Sequence, residues 1–207
     1  MNRGPILLVE DIPNILDFLA MTLRFKGYEV LTARNGQEAW EILQRVQPIL
    51  VITDILMPKM DGFALVYRLR TDPQRRSIPV IFLSATYVAP EDEDFAMRLG
   101  AARFIEKPVD IEEFLLTVAE LIQQGPLPPP EPMEERAFYE GYRDRLQNKL
   151  RQKNQQIART ERILAGLPEE QKPAFEELLR QALADRAEIE SELQKVNQTL
   201  EGLNDAL

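Results

Sequence analysis

Short apolar runs alternate with amphipathic stretches over roughly the first 124 residues of the chain. Most of the apolar runs are four or five residues long. They are too uniformly hydrophobic for surface helices, which predicts buried strands. The stretches between them repeat their apolar residues every three or four positions, which predicts helices. The predicted strands are residues 5–9, 29–31, 49–53, 80–83 and 103–105, and the clearest helices are residues 12–26, 37–45 and 111–122.

This alternation of strands and helices with short connections is typical of βαβ units. Such units build a parallel sheet that is covered by helices on both faces. Five strands and five helices in about 124 residues predict a flavodoxin-like (βα)5 doubly wound α/β domain. In sheets of this kind, ligands bind beyond the carboxyl ends of the strands, so a site is expected there.

The composition changes sharply at residues 125–132, where the sequence is GPLPPPEP. Five prolines in eight residues cannot continue a helix or join a sheet, and they favour a semi-rigid polyproline II spacer. We therefore predict a first domain over residues 1–124, a proline-rich linker over 125–132, and a separate domain over 133–207.

A different hydrophobic period follows the linker. Apolar positions recur in alternating steps of three and four from Tyr139, and more regularly from Phe175, which is the periodicity of coiled coils. Gly166, Pro168 and Pro173 interrupt the pattern, so two helices are predicted rather than one. The expected second domain is an all-α antiparallel coiled-coil hairpin with its turn near residues 166–173.

The charge of the two predicted helices supports this pairing. Residues 138–165 carry seven Lys/Arg and three Asp/Glu, a net charge of +4, whereas residues 166–207 carry four and ten, a net charge of −6. Opposite charges favour one helix folding back on the other, although a solvated helix pair with scattered charge is the simpler interpretation. Because one seam rarely stabilises helices this long, we expect a homodimer in which two hairpins form a four-helix arrangement.

Composition excludes several kinds of chemistry. The chain has no cysteine and no histidine, so a thiolate nucleophile, an imidazole base and a histidine metal ligand are absent. A net charge of −9 argues against a broad nucleic-acid footprint. No apolar run approaches the ~18 residues of a membrane span, and the N-terminus does not resemble a signal peptide. A cytoplasmic protein without membrane or nucleic-acid partners is the expectation.

Three acidic residues follow two of the predicted strands. Glu10 and Asp11 come after the first strand and Asp54 closes the third. Because the first and third strands are neighbours in a doubly wound sheet, the three carboxylates should meet at one edge. Crowded anions repel one another unless a cation compensates them, and Mg²⁺ fits oxygen ligands best where phosphate is also handled.

Two further polar residues stand at strand ends on the same edge. Ser84 ends the fourth strand with a hydroxyl, and Lys107 follows the fifth with an ammonium. Acids, a hydroxyl and a lysine together can hold a phosphoryl group by its oxygens. Each residue taken alone is more often structural, for example as a helix cap, but five of them at the strand ends of one sheet favour a functional site.

At this point the sequence resembles the receiver domain of two-component response regulators over residues 5–124. The resemblance implies a protein that is not an independent enzyme but is phosphorylated by a partner histidine kinase or phosphotransfer protein and signals through its C-terminal helices. The residues that carry the resemblance are LLVEDIPNI at 7–15, GYEVLTARNGQEAW at 27–40, ITDILMPKMDGF at 52–63, IFLSA at 81–85 and EKPVD at 106–110.

The resemblance also implies a role for each site residue. Asp54 would be the phosphoacceptor, and Glu10, Asp11, Asp54 and the backbone carbonyl of Leu56 would surround Mg²⁺. After phosphorylation, Ser84 and Lys107 would each contact a phosphoryl oxygen. Phe104 stands where the family has its switch aromatic, and Leu56 and Thr86 occupy two variable positions that tune hydrolysis.

Two other functions remain open. A Mg²⁺-dependent aspartyl-phosphate phosphatase also uses an aspartate at a strand end, but it usually has a second acid two residues later, where this chain has Leu56. A transcriptional regulator with an unrecognised DNA-binding C-terminal region is the main alternative. Residues 133–207 carry 12 basic and 15 acidic residues, which disfavours it.

Overall fold

The computed structural model describes residues 4–84, 90–126, 128 and 130–205. The chain divides into two compact units, Met1–Met133 and Glu134–Leu207.

The first unit is a five-stranded parallel sheet in the order β2-β1-β3-β4-β5, with helices connecting the strands. This confirms the predicted flavodoxin-like α/β fold. Its elements are β1 (Ile6–Val9), α1 (Pro13–Phe25), β2 (Val30–Ala33), α2 (Gly36–Leu43), β3 (Leu50–Asp54), α3 (Gly62–Thr71), β4 (Val80–Ser84), α4 (Pro90–Arg98), β5 (Arg103–Glu106) and α5 (Ile111–Gln124).

Burial explains why the central strands are the most apolar segments of the chain. Every residue of β1, β3 and β4 is buried, because helices cover both faces of the sheet. On one face, α1 and α5 pack their buried residues, such as Leu19 and Phe114, against the strands. On the other face, the ring of Phe63 in α3 lies 5.4 Å from that of Phe82 in β4 and 5.1 Å from that of Phe95 in α4.

The edge strand β2 is where the sequence prediction was least accurate. We predicted residues 29–31, whereas β2 runs from Val30 to Ala33. Its last two residues pair in register with Leu8 and Val9 of β1, although Thr32 is exposed. An edge strand has one half-exposed face, so it lacks the continuous apolar run that marks a central strand.

The second unit is an antiparallel pair of long helices. Helix α6 (Glu135–Gly166) is followed by a 3-10 turn (Glu169–Gln171) and by α7 (Lys172–Asp205). A hydrogen bond of 2.7 Å from Arg136 Nη1 to Asn204 Oδ1 joins the beginning of α6 to the end of α7. An ion pair of 2.9 Å between Lys153 Nζ and Asp185 Oδ2 joins the two helices nearer the turn. The predicted all-α hairpin and the position of its break are therefore confirmed.

The buried residues of α7 fit the predicted period, with spacings of seven, seven and four positions from Ala182 to Leu200, whereas those of α6 begin with two steps of four. Phe138 begins the buried series on α6, one position before the Tyr139 that we predicted, and its ring stacks on that of Tyr142 with centroids 5.4 Å apart. The buried seam residues are Phe138, Tyr142, Leu146, Ile157, Ala182, Ile189, Val196 and Leu200. Among the described residues of both units, no helix combines the length and the apolar character that a membrane span requires.

Candidate functional site

The side chains predicted to form a site come from the carboxyl ends of four strands. Glu10 follows β1, Asp54 is the last residue of β3, Ser84 is the last of β4, and Lys107 follows β5. The strands are parallel, so these ends lie at the same edge of the sheet. The fold itself therefore brings together residues that are up to 97 positions apart in the sequence.

The three acids form one tight cluster. Single carboxylate oxygens of Glu10, Asp11 and Asp54 all lie within 4.8 Å of one another. The Glu10 side chain is fully buried, Asp54 is 6% exposed and Asp11 is half-buried. Burial and the neighbouring Asp54 carboxylate raise the pKa of Glu10 above its ordinary value, although Lys107 opposes this. The cluster is therefore a site of concentrated negative charge that favours a bound cation.

One ammonium bridges two of these acids. Lys107 Nζ lies 2.6 Å from Glu10 Oε2 and 2.8 Å from Asp54 Oδ2. Burial lowers the pKa of Lys107, but the ion pairs with Asp54 and Glu10 outweigh burial and raise that pKa above its ordinary value. Lys107 therefore stays protonated and partly compensates the acidic cluster.

The turn after β3 orients the Asp54 carboxylate. The backbone N–H of Ile55 donates to Asp54 Oδ1 at 2.7 Å, which leaves Oδ2 facing Lys107. The N–H of Gly62 donates to the carbonyl of Ile55 at 2.9 Å, so the first residue of α3 sits directly on the strand end. A Cβ on Gly62 would lie 2.2 Å from the Asp54 carbonyl oxygen, and only glycine allows this approach.

Asp61 supports the same turn from the other side. Its side chain caps α3 by accepting a hydrogen bond of 3.0 Å from the N–H of Ala64. The Asp61-Gly62 pair thus fixes where α3 begins relative to Asp54.

The N-cap position of α1 is Ile12, directly after Asp11. The N–H of Ile12 donates to Glu10 Oε1 at 3.3 Å, and its own side chain makes no capping hydrogen bond. The simpler structural explanation for Glu10-Asp11, as residues that merely start the helix, therefore applies in part to Glu10.

Ser84 is fully buried beside this cluster. It comes directly after Leu83, which pairs in register with Asp54, and its carbonyl accepts a hydrogen bond of 2.6 Å from the N–H of Lys107. Phe104 is half-buried on β5 in register with Phe82, and the Leu56 side chain is 39% exposed two residues after Asp54. Thr86 lies outside the described residues. The specific roles of all these residues remain predictions.

Two features of the site were missed by the sequence reasoning. The first is the ion pair of Lys107 with Glu10, because we predicted only a contact of Lys107 with phosphate. The second is Gly36, whose N–H donates to the carbonyl of Met60 at 2.8 Å and whose Cβ would lie 2.7 Å from that oxygen. This contact holds the loop after β3 against the start of α2. The Asn35-Gly36 pair was the sequence feature from which a close approach at this position could have been predicted.

The residues present fit a divalent cation. Three carboxylates offer the hard oxygen ligands that Mg²⁺ prefers, and their charge exceeds what the single Lys107 ammonium compensates. The half-buried Asp11 gives the cluster access to solvent. Glu10, Asp11 and Asp54, with the Leu56 carbonyl that we predicted beside them, would hold the ion.

Comparison with known proteins gives a consistent result for the first unit. The model of the family described as the response regulator receiver domain matches residues 6–119. An uncharacterized 14.6 kDa protein in the sodA1 3' region of Leptolyngbya boryana is 40% identical over 113 residues, which cover 55% of this chain and 86% of that protein. The DNA-binding dual master transcriptional regulator RpaA of Synechocystis sp. is 34% identical over 119 residues.

The match covers 58% of this chain but only 49% of RpaA, so the chain spans about half the length of that relative. Among solved structures, the signal receiver domain of a signal transduction histidine kinase from Syntrophus aciditrophicus has a TM-score of 0.55 and 39% identity. It covers 58% of this chain, and the match covers 91% of that structure. The family match ends at residue 119, before the second unit.

Proposed function

This chain belongs to the response regulator receiver domain family, and from that premise we propose that it is a two-component signalling protein phosphorylated on Asp54. The observation that carries the proposal is the position of Asp54. Its Oδ2 lies 2.8 Å from the Lys107 ammonium, in a cluster with Glu10 and Asp11 that suits Mg²⁺. A nucleophile, a cation site and a positive charge for the phosphoryl oxygens are then within reach of one another.

The proposed reaction transfers a phosphoryl group from a phosphohistidine to a carboxylate oxygen of Asp54. The P–N bond of the donor breaks, an acyl phosphate forms, and the nitrogen's electron pair returns to the imidazole. The chain contains no histidine, so the donor imidazole lies outside these 207 residues, and we propose a partner histidine kinase or phosphotransfer protein as its source. Mg²⁺, when bound, neutralises charge on the transferred group. We propose that this reaction takes place in the cytoplasm.

The residues of the chain have distinct roles in this proposal. The Ile55 N–H holds the Asp54 carboxylate in one orientation, and Lys107 keeps a positive charge where the phosphoryl oxygens arrive. The Ser84 hydroxyl donates a hydrogen bond to a second phosphoryl oxygen. Phe104, on β5, then turns inward as the switch. Hydrolysis of the acyl phosphate resets the protein, without a separate enzymatic activity.

A docking surface for the donor lies beside the site. Helix α1 begins next to Glu10 and carries three large apolar side chains in steps of three and four that face solvent: Phe18, Met21 and Phe25 are 54%, 69% and 87% exposed. An apolar stripe of this kind suits a helical partner. We propose that the histidine-bearing protein binds along it.

The output is proposed to be the helical hairpin, acting as a homodimer. Ile163, Leu178 and Leu183 lie outside the α6–α7 seam near the turn and are 37%, 56% and 37% exposed. Pairing two hairpins would cover them. Sedimentation equilibrium of the full chain should show a dimer that Leu178→Gln weakens, whereas Leu116→Gln, on the exposed face of α5, should not. A monomer at micromolar concentration would contradict the dimer.

A transcriptional regulator is the second candidate function, because RpaA is named as DNA-binding. The chain covers only about half of RpaA, and residues 133–207 carry a net charge of −3. Binding to phosphate backbones requires basic surfaces, so the proposal remains a protein-interaction output.

Phosphorylation of Asp54 is tested by intact-mass spectrometry. With acetyl phosphate and Mg²⁺, the unsubstituted chain should gain one phosphoryl group, and Asp54→Asn should gain none. Asp17→Asn, an exposed aspartate on α1, is the matched control and should be labelled like the unsubstituted chain. Equal labelling of Asp54→Asn would refute the assignment.

A further inference from the structure

The base of the sheet, opposite the acidic cluster, carries contacts with the proline segment that follows α5. Pro126 lines a cavity of about 370 Å³ formed with residues from the amino-terminal ends of the strands and the loops before them. Four residues later, Pro130 lies against Gly100, at the turn that precedes β5. The other residues that line the cavity are Gly4, Gln47, Pro48, Ile49, Ser77, Ile78 and Pro79.

The contact at Gly100 is very close. A Cβ placed on Gly100 would lie 2.7 Å from Cγ of Pro130 and 2.9 Å from Nε of Arg70. Gly100 also has a φ of +90°, which side chains rarely adopt. The glycine therefore gives the proline ring direct access to the backbone of the turn.

Arg70 links the loops that form this surface. Its guanidinium donates to the Gly100 carbonyl at 2.7 Å, to the Ile78 carbonyl at 2.9 Å and to the Arg76 carbonyl at 3.0 Å, and the residue is only 2% exposed. Ile78 is both a partner of Arg70 and part of the cavity wall beside Pro126. One buried side chain thus connects the two places where prolines lie on the sheet base.

We propose that the base of the receiver sheet is a docking surface for a proline-rich segment, and that its occupant is the segment of this chain that carries Pro126 and Pro130. Pro48, Pro79 and Ile49 offer apolar contacts within a lining that also includes the polar side chains of Gln47 and Ser77. A proline ring loses little side-chain entropy on docking, and proline has no N–H that burial would leave unsatisfied.

Docking shortens the free part of the linker before α6. The N-cap position of that helix is Glu134, so a docked Pro130 leaves residues 131–133 as the undocked part of the linker. Those three residues reach at most about 10 Å, whereas the eight residues 126–133 would reach about 28 Å if the segment were released.

The test uses a single spin label in the full chain. The sequence has no cysteine, so Pro128→Cys, at an exposed position between the two contacts, gives one labelling site. In the otherwise unsubstituted chain, the electron paramagnetic resonance spectrum of the label should contain a component from immobilised label. Gly100→Ala should abolish that component. Gly27→Ala should not, because Gly27 has a similar φ of +87° but nothing within 4 Å of its Cβ position.

A second pair of variants leaves Gly100 and Arg70 intact. Pro130→Gly should also abolish the immobile component, whereas Pro132→Gly, at a position beyond both contacts, should preserve it. Loss of the component in Gly100→Ala and Pro130→Gly alone supports the docking surface. A label that is fully mobile in the parent chain, or that responds equally in each variant and its control, overturns it.

Discussion

Lys107 Nζ lies 2.8 Å from Asp54 Oδ2, although the two residues are 53 positions apart and β4 lies between their strands. The same nitrogen lies 2.6 Å from Glu10 Oε2. In this state the ammonium is shared by two buried carboxylates. A phosphoryl group on Asp54 would add negative charge next to the Lys107 ammonium. Lys107 would then have to exchange part of its ion pairs with Glu10 and Asp54 for contacts with the phosphoryl oxygens.

Lys107→Ala should separate metal binding from the response to phosphorylation. The three carboxylates remain, so we expect Mg²⁺ to stabilise the variant nearly as much as the unsubstituted chain. Beryllofluoride, a phosphoryl mimic, should add no further stabilisation, because the ammonium that we propose to contact its fluorines is absent. Thermal unfolding with each additive measures both effects. Lys26→Ala, at an exposed position that ends α1, is the control. Full stabilisation of Lys107→Ala by beryllofluoride would contradict the role of Lys107.

Glu10→Gln should stabilise the metal-free protein and weaken its response to Mg²⁺. Burial and the Asp54 carboxylate raise the pKa of Glu10, so its ionised form opposes folding at neutral pH, and this effect fades as the pH falls through the raised pKa. Glutamine keeps an acceptor for the Ile12 N–H without the charge. At Mg²⁺ ten times its Kd, the unsubstituted chain should gain about 1.4 kcal/mol.

The control for this prediction is Glu120→Gln, an exposed acid on α5. Calorimetry at neutral pH should give this control the same stability in chelator as the unsubstituted chain. It should also give the same stabilisation by Mg²⁺. Equal stabilisation of Glu10→Gln and the unsubstituted chain by Mg²⁺ would show that Glu10 does not hold the ion.

The fold could be predicted because its signals are local. The central strands are buried on both faces, so their apolar runs are continuous, and strand ends in a parallel sheet share one edge. Glu10, Asp11 and Asp54 could therefore be placed together from their positions alone. The hairpin was predictable for a similar reason, since the seam repeats every three or four residues and a glycine and two prolines interrupt it.

The contacts that could not be predicted join residues through side-chain reach rather than through register. The pairing of Lys107 with Glu10 depends on a long side chain that crosses the end of β4. Arg70 is a charged residue that the hydrophobic pattern would leave at the surface, yet it is buried among carbonyls of two loops. The contact of Pro130 with Gly100 is possible because glycine has no side chain. A single glycine does not change the hydrophobic period of the sequence, so the period could not predict this contact.

Arg70→Lys should destabilise the receiver strongly. Burial lowers the pKa of Arg70 to about 10, which still leaves the guanidinium charged at neutral pH, and it donates to three carbonyls at once. A lysine ammonium cannot span them. We expect a loss of roughly 2–4 kcal/mol in the free energy of unfolding, since each buried carbonyl left without a donor costs about 1–3 kcal/mol.

Urea unfolding followed by tryptophan fluorescence measures this loss. Trp40 on α2 is the sole tryptophan of the chain, so its signal reports the receiver. Arg98→Lys, at an exposed position in the last turn of α4, is the matched control and should change the free energy of unfolding by less than about 0.5 kcal/mol. If the two variants were equally stable, the buried hydrogen bonds of Arg70 would contribute little.

The last prediction concerns the pairing of α6 with α7. Lys153 Nζ and Asp185 Oδ2 are 2.9 Å apart, with side chains 19% and 35% exposed, so the pair should be worth about 0.5–1 kcal/mol. Lys153→Asp and Asp185→Lys should each lower the urea midpoint of the helical signal in circular dichroism without changing that of Trp40 fluorescence. The double variant, which reverses the pair, should recover most of the loss. Lys195→Asp, which breaks a pair within α7, should show no such recovery with Asp185→Lys.

Mixing the two single variants then identifies which chains pair. If α6 packs on α7 of the same chain, the mixture should remain as unstable as its components, because every hairpin still contains two like charges at this position. If α6 of one chain packed on α7 of another, a mixed dimer could join the new aspartate at position 153 of one variant to the new lysine at position 185 of the other, and would recover stability. Recovery in the mixture, or strictly additive effects in the double variant, would contradict the hairpin within one chain.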